Sequence, residues 1–179
     1  MEREAYGICS RMSPAQRRYL LLEQGVGAGV VNFAINAAIA WVAFRGMTTV
    51  PLWGQQSIAG DTIGTTFLLP FITTLIASRL VRGHVRSGRI AGLAWDSSPL
   101  GRWMPRGLAR RGAVFGLACV VLVGLPAPSA LAAAGVAQMS FGRFVVFKAL
   151  FAAVLAALVT PIIARAALAD GLPSGASFR

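Results

Sequence analysis

Acidic residues, lysine, histidine and cysteine are all scarce in this 179-residue chain, and each shortage removes a class of function. Six Asp and Glu stand against 17 Lys and Arg, and Lys148 is the sole lysine. With so few carboxylates, and no Ser, Cys or His nucleophile placed in a motif with a base, catalysis is the least supported class. His84 is the one histidine, and a lone histidine among arginines is a weak basis for phosphate chemistry. Cys9 precedes the first apolar run and Cys119 lies inside a later one, so no structural disulfide is expected. Without a His or Cys cluster, no zinc or haem site is expected, and no cofactor.

Charge as a whole is also sparse, at 13% of residues, whereas hydrophobic residues make up 56% and the mean hydropathy is +0.66. That balance is too apolar for a soluble domain of this length. A bilayer core of about 30 Å needs roughly 20 apolar residues of helix, and four stretches qualify. They run approximately over 20–44, 57–78, 112–134 and 144–169. The expected fold is a single all-α membrane domain of four transmembrane helices, arranged as two hairpins joined by a basic loop over 79–111.

The arginines orient it. Short loops rich in Lys and Arg stay on the cytoplasmic side. Arg3, Arg11, Arg17 and Arg18 precede the first span, eight arginines from Arg79 to Arg111 fill the central loop, and Arg165 and Arg179 close the chain. The opposite side receives Arg45 and Arg143, with Lys148 just inside the fourth span. Both termini and the central loop are therefore expected in the cytoplasm, and the net charge of +11 is topogenic. A cleaved signal is the lesser alternative for the first span, because Asn32 and Asn36 interrupt a run longer than a usual signal core. Many Ala, Gly and Arg residues with one Lys point to a GC-rich bacterial genome, hence a bacterial inner membrane.

Within the central loop, Arg82, Arg86, Arg89, Arg102 and Arg106 are candidates for contact with anionic lipid headgroups, and Trp95, Trp103 and Met104 suit the same zone. No stacking platform or recognition motif accompanies the charge, which argues against nucleic acid.

Polar residues inside the spans are the remaining signal. In the first, Gly25, Gly29, Asn32, Asn36 and Ala40 share one helical face. Gly25 and Gly29 form a G-x-x-x-G pair that lets another helix approach, and the asparagines are expected to hydrogen-bond across that contact. In the second, Asp61 is followed by Thr62, Thr65, Thr66, Thr73 and Thr74, with Pro70 predicted to bend the helix. Asp61 and Lys148 each sit about one turn inside the same end of their spans. An isolated charge there costs a few kcal/mol, so a contact between them resolves both. Otherwise Lys148 snorkels and Asp61 caps its helix.

Laying the second hairpin on the first aligns Thr74, Ile76 and Arg79 with Thr160, Ile162 and Arg165 and brings Asp61 beside Phe147 and Lys148. The match is weak, and shared hydrophobicity suffices to explain it. The function expected is structural or accessory, a four-helix bundle that associates with itself or with a larger membrane complex. The alternative is a small transporter or channel subunit, with Asp61, Lys148, Asn32, Asn36, Thr62, Thr65 and Thr66 lining a path.

Overall fold

A computed structural model describes residues 13–88 and 107–170. Four helices are long and apolar enough to cross a bilayer: α1 over Tyr19–Phe44, α2 over Ile58–Arg86, α3 over Leu108–Ala133 and α4 over Phe141–Asp170. They mark the chain as a multi-pass membrane protein. Two short strands, β1 (Thr49–Pro51) between α1 and α2 and β2 (Gln138–Ser140) between α3 and α4, pair antiparallel with Val50 opposite Met139.

The helices outrun the expected spans at their charged ends. α2 continues past Ser78 through Arg79, Arg82 and Arg86, and α3 opens at Leu108, ahead of Arg110 and Arg111. Part of the basic loop is thus helix. Apolarity ends where the first arginine appears, but arginine is a good helix former whose stem can lie along apolar surface while its head reaches water. α4 likewise begins at Phe141, taking in Arg143.

Local chemistry explains the irregular turns. α3 passes through a wide π-type turn over Val120–Gly124, where the amide of Leu125 reaches the carbonyl of Val120 at 2.8 Å. Pro126 and Pro128 follow, and neither has an N–H to continue the regular ladder. α1 starts with similar wide turns over Tyr19–Gly27, and α2 runs on through Pro70.

The packing order is α1, α4, α2, α3. α1 lies along α4, α4 along α2 and α2 along α3, whereas neither α1 with α2 nor α3 with α4 forms an extensive pair. The helices of each expected hairpin are therefore separated by a helix of the other. Since β1 and β2 meet and lead into α2 and α4, those two central helices start at the same end of the bundle and run parallel. Most arginines of the described residues lie toward the opposite, basic end, whereas Arg45 and Arg143 lie at the strand-bearing one.

Exchanging the first half with the second leaves this order unchanged. The glycine contacts agree in detail. A Cβ on Gly29 would meet the carbonyl oxygen of Ala153, and one on Gly116 that of Phe67; the same relation joins Gly25 to Ala157 and Gly112 to Phe71. Gly25 and Gly112 are 87 positions apart, as are Gly29 and Gly116. Their counterparts on the central helices, Phe67 with Ala153 and Phe71 with Ala157, recur with the spacing that aligns Thr74 with Thr160. Hydrophobicity by itself does not place backbone contacts in register. The glycines of α1 and α3 thus meet the backbone of the central helices at equivalent positions of the two halves.

Candidate functional site

At the strand-bearing end of the α2–α4 seam, the Lys148 ammonium donates a hydrogen bond to the Asp61 carboxylate. Their side chains are 5% and 15% exposed, respectively. Asp61 is the fourth residue of α2 and Lys148 the eighth of α4. Asp61 is held there by a cap made by its neighbour: Ser57 Oγ accepts from the Gly60 amide at 3.1 Å and donates to the Gly54 carbonyl at 2.8 Å. Ser57, not Asp61, caps α2, which leaves the Asp61 carboxylate to Lys148. Buried opposite charges attract strongly, while either one alone would be a desolvated charge.

Beside the pair, Thr62, Thr65 and Thr66 are buried. Thr66 Oγ1 donates to the Ile63 carbonyl at 2.8 Å and lies directly against Gly124 of α3. Thr74 donates to the Pro70 carbonyl at 2.7 Å. The Thr66 and Thr74 hydroxyls are consumed within α2, a common arrangement for threonine in helices. Two further buried hydroxyls, Ser78 Oγ on α2 and Thr160 Oγ1 on α4, have no hydrogen-bond partner.

Gly25 and Gly29 do bring α1 onto α4, against Ala153, Ala157 and Pro161. The asparagines behave differently from expectation. Asn32 Nδ2 donates to the Ala28 carbonyl at 2.9 Å and Asn36 Nδ2 to the Asn32 carbonyl at 3.0 Å, both within α1. Four residues of helix bring each amide within reach of a backbone carbonyl on its own helix, and that local bond replaces the cross-helix one. Neither amide joins Asp61 or Lys148 in a hydrogen bond.

Two features escaped the sequence reading. The first is the second glycine stripe, Gly112, Gly116 and Gly124, whose absent side chains admit Phe71, Phe67 and Thr66. Its G-x-x-x-G signal is identical to that of Gly25 and Gly29 and stands in the sequence. The second is a polar cluster at the basic end, where the Tyr19 hydroxyl lies 3.0 Å from Gln24 Nε2 and 3.1 Å from His84 Nδ1, tying α1 to α2. Their separation of 65 positions gives no sequence signal. Arg111, expected in a loop, is fully buried at the start of α3. Arg82 is half-buried on α2; the side chain of Arg86, and all of Arg89, Arg102 and Arg106, lie outside the described residues.

An open groove of about 820 Å³ lies at the strand-bearing end between Gly135, Met139, Arg143, Val146, Phe147 and Leu150. It is lined neither by Asp61 and Lys148 nor by Asn32 and Asn36. Phe147 and Leu150 bring it to the flank of α4, so it opens beside the seam and not along it. No protein-family model matches this chain, and neither a curated protein nor a solved structure shows significant similarity to it.

Proposed function

We propose that this chain is a structural or accessory component of a bacterial inner membrane, a four-helix bundle that acts by associating with other helices. The observation that carries the reading is the direct Asp61–Lys148 contact in a seam flanked by glycine-packed helices. A charge pair satisfied by itself has no unmet demand for an ion or solute. Meanwhile the outer faces of the helices present long apolar side chains, among them Val30, Val42, Leu122 and Leu158, to lipid or to a partner helix. A second copy or a larger membrane complex is the partner proposed. Both termini and the basic end lie in the cytoplasm by the arginine bias, with Arg82, Arg86, Arg89, Arg102 and Arg106 on anionic headgroups.

Transport is the second reading, favoured by the unpartnered hydroxyls of Ser78 and Thr160 in the interior of the bundle. One experiment separates the two. Asp61→Lys and Lys148→Asp are made singly and together, and folding is measured beside solute uptake or resistance. An assembly role predicts folding lost in the singles and restored in the double. Intact folding with lost uptake would favour transport.

A further inference from the structure

Arg143 is a cation that its surroundings in this chain do not compensate. It lies in the first turn of α4, where the helix dipole disfavours positive charge, and that turn contains no acidic residue. Among the described residues the strand-bearing end has one carboxylate, Asp61, and Lys148 takes it. Arg45, the other arginine at this end, follows the C-terminus of α1, where the dipole favours a cation. Arg143 is exposed and shares one face of α4 with Val146, Phe147 and Leu150.

Those four residues line the open groove of about 820 Å³ together with the segment 135–139 and Gly142. Helix rise gives the depth of the groove. α4 has 30 residues, hence a length of about 45 Å against a hydrocarbon core of about 30 Å. Arg143, near the end of that helix, falls among lipid headgroups, and Leu150, about 10 Å further in, falls among acyl chains. The groove thus offers a guanidinium at the level of lipid phosphates and apolar surface below it. Gln138 adds a backbone donor beside it. The Leu52 amide reaches the Ala137 carbonyl and the Phe141 amide the Thr48 carbonyl, so the alternation of the ladder turns the Gln138 amide away from β1. No carboxylate lines the groove to receive the ammonium of a zwitterionic headgroup. We propose that this groove binds one anionic phospholipid, with its phosphate on Arg143 and an acyl chain along Val146, Phe147 and Leu150. A second apolar helix would cover the groove but leave Arg143 uncompensated, whereas soluble phosphate would leave the apolar part uncovered. The site rests on these residues alone and does not depend on whether the outer faces associate with other helices.

Photolabelling of the full-length chain in phosphatidylcholine bilayers tests it. Two probes are compared, phosphatidylglycerol and phosphatidylcholine, each carrying a diazirine on the acyl chain near the glycerol. Peptide mass spectrometry gives the ratio of labelling by the two probes at Val146 and Leu150. Leu125 of α3 serves as the reference, being exposed to the same bilayer and following Gly124, which packs beside Ile63 and Thr66. The ratio at Val146 and Leu150 is expected to exceed that at Leu125 by about fivefold, the effect of one well-placed arginine on an anionic headgroup. Arg143→Gln should bring it down to the Leu125 value, and Arg143→Lys should retain most of it. Gly142→Leu should also abolish the excess by filling the groove, since a Cβ there meets no atom within 4 Å and the fold has room for it. Thermal unfolding verifies that the variants remain folded. An equal ratio at both places, which is the mark of annular lipid only, overturns the proposal, and so does an excess that Arg143→Gln and Gly142→Leu both leave unchanged.

Discussion

Lys148 and Asp61 show how two residues that are each unfavourable in a bilayer become acceptable together. Removing one partner, as in Lys148→Met or Asp61→Asn, should lower stability by about 3–5 kcal/mol, since a desolvated charge or dipole is left behind. Replacing both by apolar residues, Asp61→Leu with Lys148→Met, should leave the unfolding midpoint in detergent close to that of the native chain, because neither charge then needs a partner. A double variant as unstable as the singles would show that more than the mutual contact depends on these positions. Ser57→Ala should cost about 1 kcal/mol in the same measurement through loss of the cap on α2. The sequence placed Asp61 and Lys148 at one depth, because helix rise converts position into depth. It left open whether they meet, because depth says nothing about which helix stands beside which.

At the scale of the elements, glycine sets the distance between helices. A Cβ on Gly116 would lie 2.8 Å from the Phe67 ring and 2.9 Å from its carbonyl oxygen, and that carbonyl belongs to the backbone of a packed helix. Gly116→Ala should therefore force α2 and α3 apart and lower the unfolding midpoint, with Gly116→Leu worse. Gly29→Ala, whose Cβ would meet the Ala153 carbonyl at 3.2 Å, should be milder. Gly64→Ala is the contrast: no atom stands within 4 Å of the new methyl, and the gain in helix propensity should stabilise α2 by up to about 1 kcal/mol. Thermal unfolding of the three alanine variants in one detergent ranks them. Helix number and approximate length were legible because a bilayer demands long apolar runs. The charged helix ends were not, since hydropathy registers the arginine while the backbone continues through it. The inward turn of Asn32 and Asn36 was equally hidden, because a local carbonyl competes with any partner across the interface.

For the whole molecule, the interleaved order of helices makes the two halves mutually dependent. Placing single cysteines at Trp53 and at Ser97, with Cys9 and Cys119 replaced, should give opposite reactions to a membrane-impermeant thiol reagent in intact cells. The position at Trp53 is expected to label from outside and that at Ser97 only after permeabilisation. The reverse pattern would invert the proposed orientation. If the assembly reading holds, bulky polar substitutions on exposed outer-face residues such as Leu122, 75% exposed, should abolish association without unfolding the bundle. Blue-native electrophoresis beside thermal unfolding checks both parts of that statement.

The sequence by itself determined the four spans, the arginine asymmetry, the small face of α1 and the equal depth of Asp61 and Lys148. Each of these follows from periodicity or composition along one helix. Only the tertiary structure decided that α4 separates α1 from α2, that Asp61 meets Lys148, and that the two glycine stripes make equivalent contacts. The reason is physical. Helices in lipid choose neighbours by close packing and hydrogen bonding between surfaces, and these depend on both partners at once, whereas hydropathy is a property of each helix alone.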